Sequence, residues 1–380
     1  MPQTIESLKG LAEHIMRERG LEPAYPEEEL QQLAQIRHPA QGPPGCADLR
    51  SLMWCSIDND SSHDLDQLTY AETLQEGKTR VWIAIADVDA LVPKETPIDR
   101  HAQINTTTVY TPTKIFSMLP ERLSTDLTSL NEHEDRLALV IAITFNPQGE
   151  REDSSIVQAL VRNYAQLAYN AVGRWLEGTD SIPDKVKSLP ALEKTLRCQH
   201  ALAQLLKDRR SAQGSLTLET VEVEPELNKD QEIILKPSEH NFAHQLIEEL
   251  MIAANVEMAH HLEEAKISSI SRVVRVPKRW DRIVEIAHSL GEHLPDQPDP
   301  QALNDFLIRR KQADPIAFPD LSLAVIKLLG RGEYIVRNPD EKPIGHFGLA
   351  LSSYTHSTAP NRRFPDLIAQ RQYKAHLHQE

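Results

Sequence analysis

The stretch LDQLTYAETLQEGKTRVWIAIADVDALV, residues 65–92, decides the fold that the sequence predicts. It contains two runs rich in β-branched and aromatic residues, separated by the turn-forming segment LQEGK at 74–78. A third run, RLALVIAITF at 136–145, ends in the turn signal NPQG and is followed by a fourth, SSIVQALVRN at 154–163. Strands that follow one another across short turns predict a meandering sheet in this part of the chain.

Helical periodicity replaces the strand pattern further along the chain. Apolar residues recur at helical spacing in 166–178, in 189–210 and most strongly in 241–265. A β-rich first part followed by a helical second part predicts the α+β fold class.

The N-terminal residues have a different character from the rest. Apolar spacing predicts a helix in 4–20 that ends at Gly20, and a second short helix in 26–36. The segment RHPAQGPPGCADLR that follows contains three prolines and two glycines, which prevent regular structure. We therefore predict a short helical extension with a Pro/Gly linker in 1–44 and the main domain in 45–380.

The charge balance limits the kinds of partner that the protein can have. The 380 residues include 41 basic and 56 acidic side chains, a formal net charge of −15, which argues against coating nucleic acid through a general positive field. A local basic channel stays possible, with candidates at 207–210, 272–279 and 361–363. Each such run is by default a solvated face.

Composition also predicts the compartment. The N-terminus lacks the pattern of a signal peptide, and no run of 18 apolar residues occurs, so we expect a soluble protein without a membrane segment. Three scattered cysteines suit a reducing compartment and exclude a disulfide framework or a cysteine zinc site. The predicted location is the cytoplasm.

Four aspartates crowd into nine positions of the segment SIDNDSSHDLDQLTYAE at 56–72, namely Asp58, Asp60, Asp64 and Asp66. Two carboxylates about 4 Å apart repel by roughly 1 kcal/mol in bulk water and about 4 kcal/mol at a protein surface, so such a cluster needs either solvent or a cation. An EF-hand loop is excluded, because His63 stands where that loop needs glycine and Thr69 where it needs glutamate.

A site for a hard metal ion is the second interpretation of the cluster. If the chain is extended at 64–66, Asp64 and Asp66 point to one side, and the turn at 59–62 brings Asp58 back towards them. Three carboxylates with open positions suit Mg²⁺, which keeps water and takes phosphate oxygens as its other ligands. On spacing alone, an exposed acidic loop remains an equal alternative.

Four blocks of the sequence together resemble the RNB catalytic domain of the ribonuclease II family. The first is DLRSLMWCSIDNDSSHDLDQLTYAE at 48–72, and the second runs from 81 to 139 with the elements MLPERLS and SLN. IEELMIAANVEMAHHL at 247–262 is similar to the family's central helix, and HFGLALSSYTHSTAPNRRFPDLIAQRQYKA at 346–375 to its late arginine motif. Matches in the right order over so much of the chain are highly specific.

The resemblance implies a hydrolytic exoribonuclease that depends on Mg²⁺, with Mn²⁺ as a possible substitute. It would degrade single-stranded RNA from the 3′ end and release nucleoside 5′-monophosphates, and it implies no particular protein partner. The expected metal ligands are Asp58, Asp64, Asp66 and Gln67, with Asp66 the most critical carboxylate.

The same resemblance assigns the expected substrate contacts. Arg362 matches the arginine that holds the scissile phosphate, and Tyr110 matches an aromatic that stacks on the 3′-terminal base. Arg363 is the expected further contact to the substrate. A fixed guanidinium can neutralise charge that develops on phosphoryl oxygens, and stacking on an aromatic ring tolerates any base.

The sequence also departs from the family pattern. Gln67 stands where the family has a fourth metal-binding aspartate, which lowers the expected metal affinity unless Asp60 compensates. Leu218 replaces a second base-clamping aromatic. The chain ends at Glu380, before the helices that normally carry a catalytic glutamate, so we expect a truncated catalytic domain. The absence of flanking barrels predicts weak, salt-sensitive RNA binding.

These departures leave two alternatives open. One is a catalytically impaired RNB-domain protein that binds RNA or a protein partner without efficient cleavage. The other is a metal-stabilised structural domain without affinity for RNA.

Overall fold

Twelve strands and eleven α-helices make up the described chain, which in this computed structural model comprises residues 5–220, 223–227, 233–237 and 240–378. The strands are β1 (Ala47–Asp48), β2 (Trp54–Asp58), β3 (Gln67–Thr73), β4 (Thr79–Ala86), β5 (Val109–Tyr110), β6 (Ile115–Phe116), β7 (Asp135–Phe145), β8 (Arg151–Ala168), β9 (Val223–Leu227), β10 (Ile233–Pro237), β11 (Ser269–Val273) and β12 (Glu333–Arg337). The helices are α1 (Ile5–Glu18), α2 (Glu27–Gln35), α3 (Pro97–Asn105), α4 (Tyr169–Leu176), α5 (Asp184–Ser188), α6 (Pro190–Ala212), α7 (Phe242–Glu264), α8 (Trp280–Ser289), α9 (Pro300–Ala313), α10 (Phe318–Leu329) and α11 (Phe364–His378). The predicted α+β class is confirmed.

The main sheet has six strands in the order β1-β8-β2-β3-β4-β7, with β8 also paired to β7. The hairpins β3–β4 and β7–β8 are antiparallel, as the turn signals predict. The predicted meander is confirmed for the four runs, because β3, β4, β7 and β8 pair antiparallel in chain order. The sheet adds one feature that the meander does not contain, since β2 runs parallel to β8. With 18 residues, β8 is long enough to pair with β7 over 151–162 and with β2 over 163–168.

Alternation along the strands divides the apolar residues between two cores. In β4, Val81, Ile83 and Ile85 face a core that α6 and α7 cover, while Ala84 and Ala86 face a second core on the other side of the sheet. This is the period of two that a strand imposes on its side chains. Full burial of an isoleucine such as Ile83 stabilises the fold by roughly 1.5–3 kcal/mol.

A third apolar cluster lies among α8, α9 and α10 and is centred on Trp280 and Phe306. The Trp280 indole N–H donates to the Pro295 carbonyl over 2.7 Å. Strands β11 and β12, which precede and follow these three helices in the chain, pair antiparallel. The backbone N–H of Arg272 in β11 donates to the Tyr354 carbonyl over 2.8 Å and so connects this pair to the segment before α11.

The N-terminal extension contacts the main domain at specific points. Tyr25 donates its hydroxyl to the Ser117 carbonyl over 2.7 Å, and Lys114 forms an ion pair with Glu13 at 3.0 Å. Gly20 follows α1 with a φ of +75°, which explains why glycine ends this helix. Within the residues described, no helix is both long enough and apolar enough to span a membrane.

A histidine caps the short 3₁₀ turn Phe347–Leu349 that precedes the arginine motif. The Nδ1 atom of His346 accepts a hydrogen bond from the Leu349 amide over 3.1 Å, so it must carry no proton. Burial, aided by the charge of Arg272, lowers the pKa of His346 to about 4.

We expect this histidine to make the fold sensitive to acid. Since the pKa of about 4 in the folded chain lies below the ordinary 6.5, the unfolded chain binds one more proton between these values, and stability falls as the pH drops from 6.5 towards 4. His346→Asn keeps a capping acceptor that does not titrate. Urea unfolding should therefore show a smaller pH slope for this variant than for wild type or for the exposed control His293→Asn. Equal slopes in all three proteins would contradict the prediction.

Candidate active site

The aspartate cluster lies where two strand ends meet. β2 ends at Asp58 and β3 begins at Gln67, directly after Asp66, and the two strands pair antiparallel. Between them the chain reverses at a turn in which the Ser62 amide donates to the Asn59 carbonyl over 3.0 Å. The Ser62 hydroxyl donates to Asp58 Oδ1 over 2.8 Å. The turn thus returns the chain to the end of β2, as the sequence predicts.

A neighbouring loop fixes the backbone of this segment. Ser129 Oγ accepts a hydrogen bond from the Leu65 amide over 2.9 Å and donates to the His63 carbonyl over 2.7 Å. The Leu130 amide donates to the Leu65 carbonyl over 2.9 Å. Because Ser129 is fully buried, these bonds hold the aspartate segment rigidly against the sheet.

Asp66 is the deepest carboxylate of the cluster, with only 1% of its surface exposed. Its Oδ1 atom accepts a hydrogen bond from the backbone N–H of Asn361 over 3.0 Å, whereas Oδ2 is buried and receives none within the described chain. Burial raises the pKa of Asp66 to about 7, although the positive charge of Arg362 opposes the shift. A buried carboxylate with an oxygen that receives no hydrogen bond is stabilised by a cation.

Arg362 lies opposite Asp66. Its Nε atom is 3.5 Å from Asp66 Oδ2, and 48% of its side chain is exposed. The backbone is fixed by the Arg362 carbonyl, which accepts hydrogen bonds of 3.0 Å from the Thr108 amide and from the Thr107 hydroxyl. Burial works to lower the pKa of Arg362, but the combined negative charges around it, those of Asp66, Tyr110, Asp58 and Asp64, outweigh burial and raise the pKa above the ordinary value. The guanidinium is therefore charged, positioned and open to solvent on one side.

Tyr110 borders the same carboxylates from the β5–β6 hairpin. Its hydroxyl donates to Asp64 Oδ2 over 3.3 Å, and 55% of the residue is exposed. Burial of the hydroxyl, then the charge of Asp64, raise the pKa of Tyr110 to about 12. The hydroxyl is thus anchored while the ring offers a surface beside the cluster.

The structure thus brings Asp58, Asp64, Asp66, Tyr110 and Arg362 together. Gln67 is buried and shares a strand face with Thr69, whose hydroxyl donates to Gln199 of α6 over 2.8 Å. Asp60 is exposed at the turn and makes no hydrogen bond or ion pair with any described residue. Nothing in the structure supports the expectation that Asp60 compensates for Gln67.

Two further predicted residues have other neighbours. Arg363 directs Nη2 to Asp366 Oδ1 at 2.7 Å, in an ion pair with a fully buried carboxylate, so this part of its guanidinium is already engaged. Leu218 packs against the apolar cluster of α8–α10 and lines a cavity of about 780 Å³ together with Phe242 and His244. The roles proposed for these residues stay predictions.

Sequence reasoning missed the residues that support the carboxylates. The Thr128 hydroxyl donates to the side-chain Oδ1 of Asn361 over 2.6 Å, and the backbone N–H of Asn361 donates to Asp66. Both side chains are buried. Thr128 and Asn361 lie in two of the blocks that carry the family resemblance, but they are 233 positions apart, so no local pattern shows that they meet.

The residues of the cluster fit a hard divalent cation. Asp58, Asp64 and Asp66 offer carboxylate oxygens, and the buried Oδ2 atom of Asp66 has no hydrogen bond from the described part of the molecule. These carboxylates are not gathered as closely as those of one other group. Among described residues, only Glu22, Glu29 and His101 place three ligand atoms within 4.8 Å of one another.

Hydrogen bonds argue against a metal at that second group. The Glu22 amide donates to Asn105 Oδ1 over 2.8 Å, and Asn105 Nδ2 donates to the Glu22 carbonyl over 2.9 Å, so the amide orientation of Asn105 is fixed. Asn105 Nδ2 also lies 2.8 Å from His101 Nε2, which must therefore accept. The proton of His101 is then on Nδ1, where it binds the two glutamates and blocks metal coordination.

Comparison with known proteins shows which family the chain resembles. The model of the RNB domain matches residues 46–379. Ribonuclease R of Vibrio cholerae is 36% identical over 92% of this chain and 42% of its own length, and Ribonuclease R of Escherichia coli is 33% identical over 94% of this chain and 43% of its own. The chain thus spans about two fifths of the length of these curated relatives.

Solved structures agree with the sequence comparison. Mycoplasma genitalium RNase R in complex with double-stranded RNA matches with a TM-score of 0.87 and 26% identity, over 98% of this chain and 64% of that one. Yeast Ssd1, a pseudonuclease, shares the fold with a TM-score of 0.75 and 17% identity, over 99% of this chain and 45% of that one. The resemblance drawn from the sequence is confirmed. The chain belongs to the RNB domain family.

Proposed function

We propose that this chain is the catalytic domain of a hydrolytic exoribonuclease that removes nucleotides from the 3′ end of single-stranded RNA and releases nucleoside 5′-monophosphates. The observation that carries the proposal is the Arg362 guanidinium, which faces the buried carboxylate of Asp66 at 3.5 Å and remains half exposed. The names and titles of the relatives, Ribonuclease R, support the class of reaction.

Membership of this ribonuclease family favours dependence on a divalent metal, and we propose Mg²⁺, with Mn²⁺ as a substitute. Asp58, Asp64 and Asp66 would hold it, and Gln67 would add at most a neutral amide oxygen. When bound there, such an ion would supply activation of the attacking water and stabilisation of the leaving 3′ oxygen. Arg362 would bind the scissile phosphate and neutralise the charge that develops on its oxygens.

Tyr110 is the proposed platform for the 3′-terminal base. Its hydroxyl is held by Asp64, so the exposed ring has a fixed orientation next to Arg362. Stacking on an aromatic ring is worth about 1–3 kcal/mol per base and does not depend on the base. A degrading enzyme needs this tolerance of sequence.

The alternative function is an RNB domain that binds RNA with impaired cleavage. The neutral amide of Gln67 and the packing of Leu218 into an apolar cluster favour it. The two functions differ in whether bound RNA is released as nucleotides.

A 5′-labelled single-stranded oligoribonucleotide, incubated with the chain in Mg²⁺ or Mn²⁺ and resolved on a sequencing gel over time, separates the proposals. A descending ladder with a short limit product is expected for 3′ to 5′ hydrolysis. Intact RNA that still shifts in a binding assay would support the impaired protein, and cuts in the interior would reject both.

Gln67→Asp should strengthen metal binding, because it adds a carboxylate to a neutral position. Without metal, the new buried charge should lower the melting temperature, and added Mg²⁺ or Mn²⁺ should restore it. Half-maximal nucleotide release should then need less Mg²⁺ than in wild type. Asp60→Gln, which changes an exposed residue of the same loop, is the control. An unchanged metal requirement in Gln67→Asp would show that another group already fills this role.

We also propose the division of the chain at residue 45, which the start of the family match at residue 46 supports. A cytoplasmic location is proposed from the cysteines, since Cys46, Cys55 and Cys198 are all free.

A further inference from the structure

The basic run RVVRVPKR at 272–279 contains two arginines in different settings. Arg275 forms an ion pair with Glu333, its Nε atom 3.2 Å from the carboxylate. Arg272 has no carboxylate partner in the described segments, although its side chain is partly buried. A partly buried guanidinium without a neighbouring carboxylate keeps its charge uncompensated by the protein, and a bound anion would stabilise it.

Arg272 is held in place by its surroundings. Its guanidinium carbon lies 4.8 Å from the centroid of the Tyr334 ring, a cation–π contact. On its other side the guanidinium lies against the backbone of Gly332, where an added Cβ would come within 2.3 Å of Arg272 Nη2. Glycine at this position thus makes room for the guanidinium. Since ring stacking leaves the edge N–H groups free, the side chain is suited to phosphate.

The side chains around the Arg272 guanidinium do not neutralise its positive charge. Tyr334 is 42% exposed, and its hydroxyl lies 2.6 Å from His356 Nδ1. Burial, then the charges of Arg363 and Arg272, lower the pKa of His356 to about 3, so this imidazole is neutral at physiological pH. The charge of Asp366, which also acts on Tyr334, is engaged by Arg363.

A short stretch of chain connects the surroundings of Arg272 to the candidate active site. The Arg272 amide donates to the Tyr354 carbonyl, and the Thr355 hydroxyl donates to the Ile270 carbonyl over 2.6 Å. The segment so fixed continues into Arg362 and Arg363. Arg362 faces Asp66, while Arg363 lies close enough to His356 to lower its pKa. Arg362 thus faces the carboxylate cluster, and the charge of its neighbour Arg363 acts on His356 beside Tyr334.

We propose that Arg272, fixed between Gly332 and the Tyr334 ring, binds a phosphate of the RNA on the 5′ side of the scissile phosphate. This inference rests on the proposed function. When an enzyme removes the 3′-terminal nucleotide, every phosphate other than the scissile one lies on the 5′ side. A fixed contact to one of them holds the strand in register while Arg362 binds the scissile phosphate.

RNA binding at several salt concentrations tests the proposal. The full chain carries Asp66→Asn so that RNA stays intact, and the probe is a fluorescent single-stranded oligouridylate. Arg272→Gln should raise Kd on the order of tenfold, and it should reduce the slope of log K against log salt by about 0.7, the value for one phosphate on a single strand. Arg275→Gln removes a charge from the same basic run and should change Kd less than about twofold.

The other readouts separate a phosphate contact from a structural role. In the chain with Asp66 intact, Arg272→Gln should raise KM and leave kcat unchanged. Gly332→Ala keeps the charge of Arg272 but displaces the guanidinium, and it should also weaken binding. Equal Kd and salt slope for Arg272→Gln and Arg275→Gln would overturn the subsite alone, whereas absence of any RNA binding by the parent chain would overturn the proposed function and the subsite with it.

Discussion

Asp66→Asn should reduce nucleotide release by at least about 10³-fold and leave RNA binding within about twofold of wild type. The asparagine side chain is nearly isosteric with the carboxylate, so the hydrogen bond from the backbone N–H of Asn361 to Oδ1 can persist. What is lost is the negative charge at the buried Oδ2 atom, which we propose faces the metal. Removal of a negative charge beside a phosphate does not weaken its association.

Asp60→Asn is the matched control, because it makes the same chemical change in the same loop at an exposed residue. It should release nucleotides at the wild-type rate. Single-turnover release from labelled RNA and equilibrium binding to the same RNA would be measured for both variants. If Asp66→Asn turned over normally, the proposed site would be wrong; if it lost RNA binding as well, the carboxylate would have a structural role.

Much of the candidate site could be predicted from the sequence because its parts lie in short local patterns. The spacing of Asp58, Asp64 and Asp66 and the turn at 59–62 are properties of one segment, and the structure folds that segment as expected. Tyr110 and Arg362 came from resemblance, since neither residue type identifies a role by itself. The structure adds that both touch the carboxylate cluster.

What could not be predicted depends on contacts between distant parts of the chain. Alternation and turn signals predict strands and hairpins, but the parallel pairing of β2 with β8 follows from the length and path of β8. The buried bond between Thr128 and Asn361 has no local signal either. A run of basic residues does not show which of its side chains form ion pairs. Arg272 and Arg275 lie in one run, and only the structure shows that Glu333 pairs with Arg275.

A buried network of ion pairs holds the last helix, α11, against the rest of the domain. No local pattern in the sequence predicts this network. Lys374 Nζ of α11 lies 2.7 Å from Asp87 Oδ1 and 2.9 Å from Asp89 Oδ2. Arg371, one turn earlier, pairs with Asp89 and with Asp99, each at 2.7 Å. Since α11 begins directly after the arginine motif, this network anchors the backbone that presents Arg362.

Asp87→Ala should lower the free energy of unfolding by about 3 kcal/mol, because it leaves a buried lysine with one carboxylate instead of two. It also removes the acceptor for Gln158, whose amide lies 2.5 Å from Asp87 Oδ2. Urea unfolding at pH 7 measures the change. Asp48→Ala, which breaks an exposed pair with Arg50, is the control and should unfold at the same urea concentration as wild type.

A double variant distinguishes the charge effect from a simple loss of packing. If the cost of Asp87→Ala comes from the uncompensated Lys374, then Asp87→Ala combined with Lys374→Met should be more stable than Asp87→Ala alone. The single variant should also release nucleotides more slowly, because a loosened α11 no longer fixes Arg362 opposite Asp66. Additive losses of stability in the double variant would mean that the two side chains contribute through packing, and that the charge network does not anchor the helix.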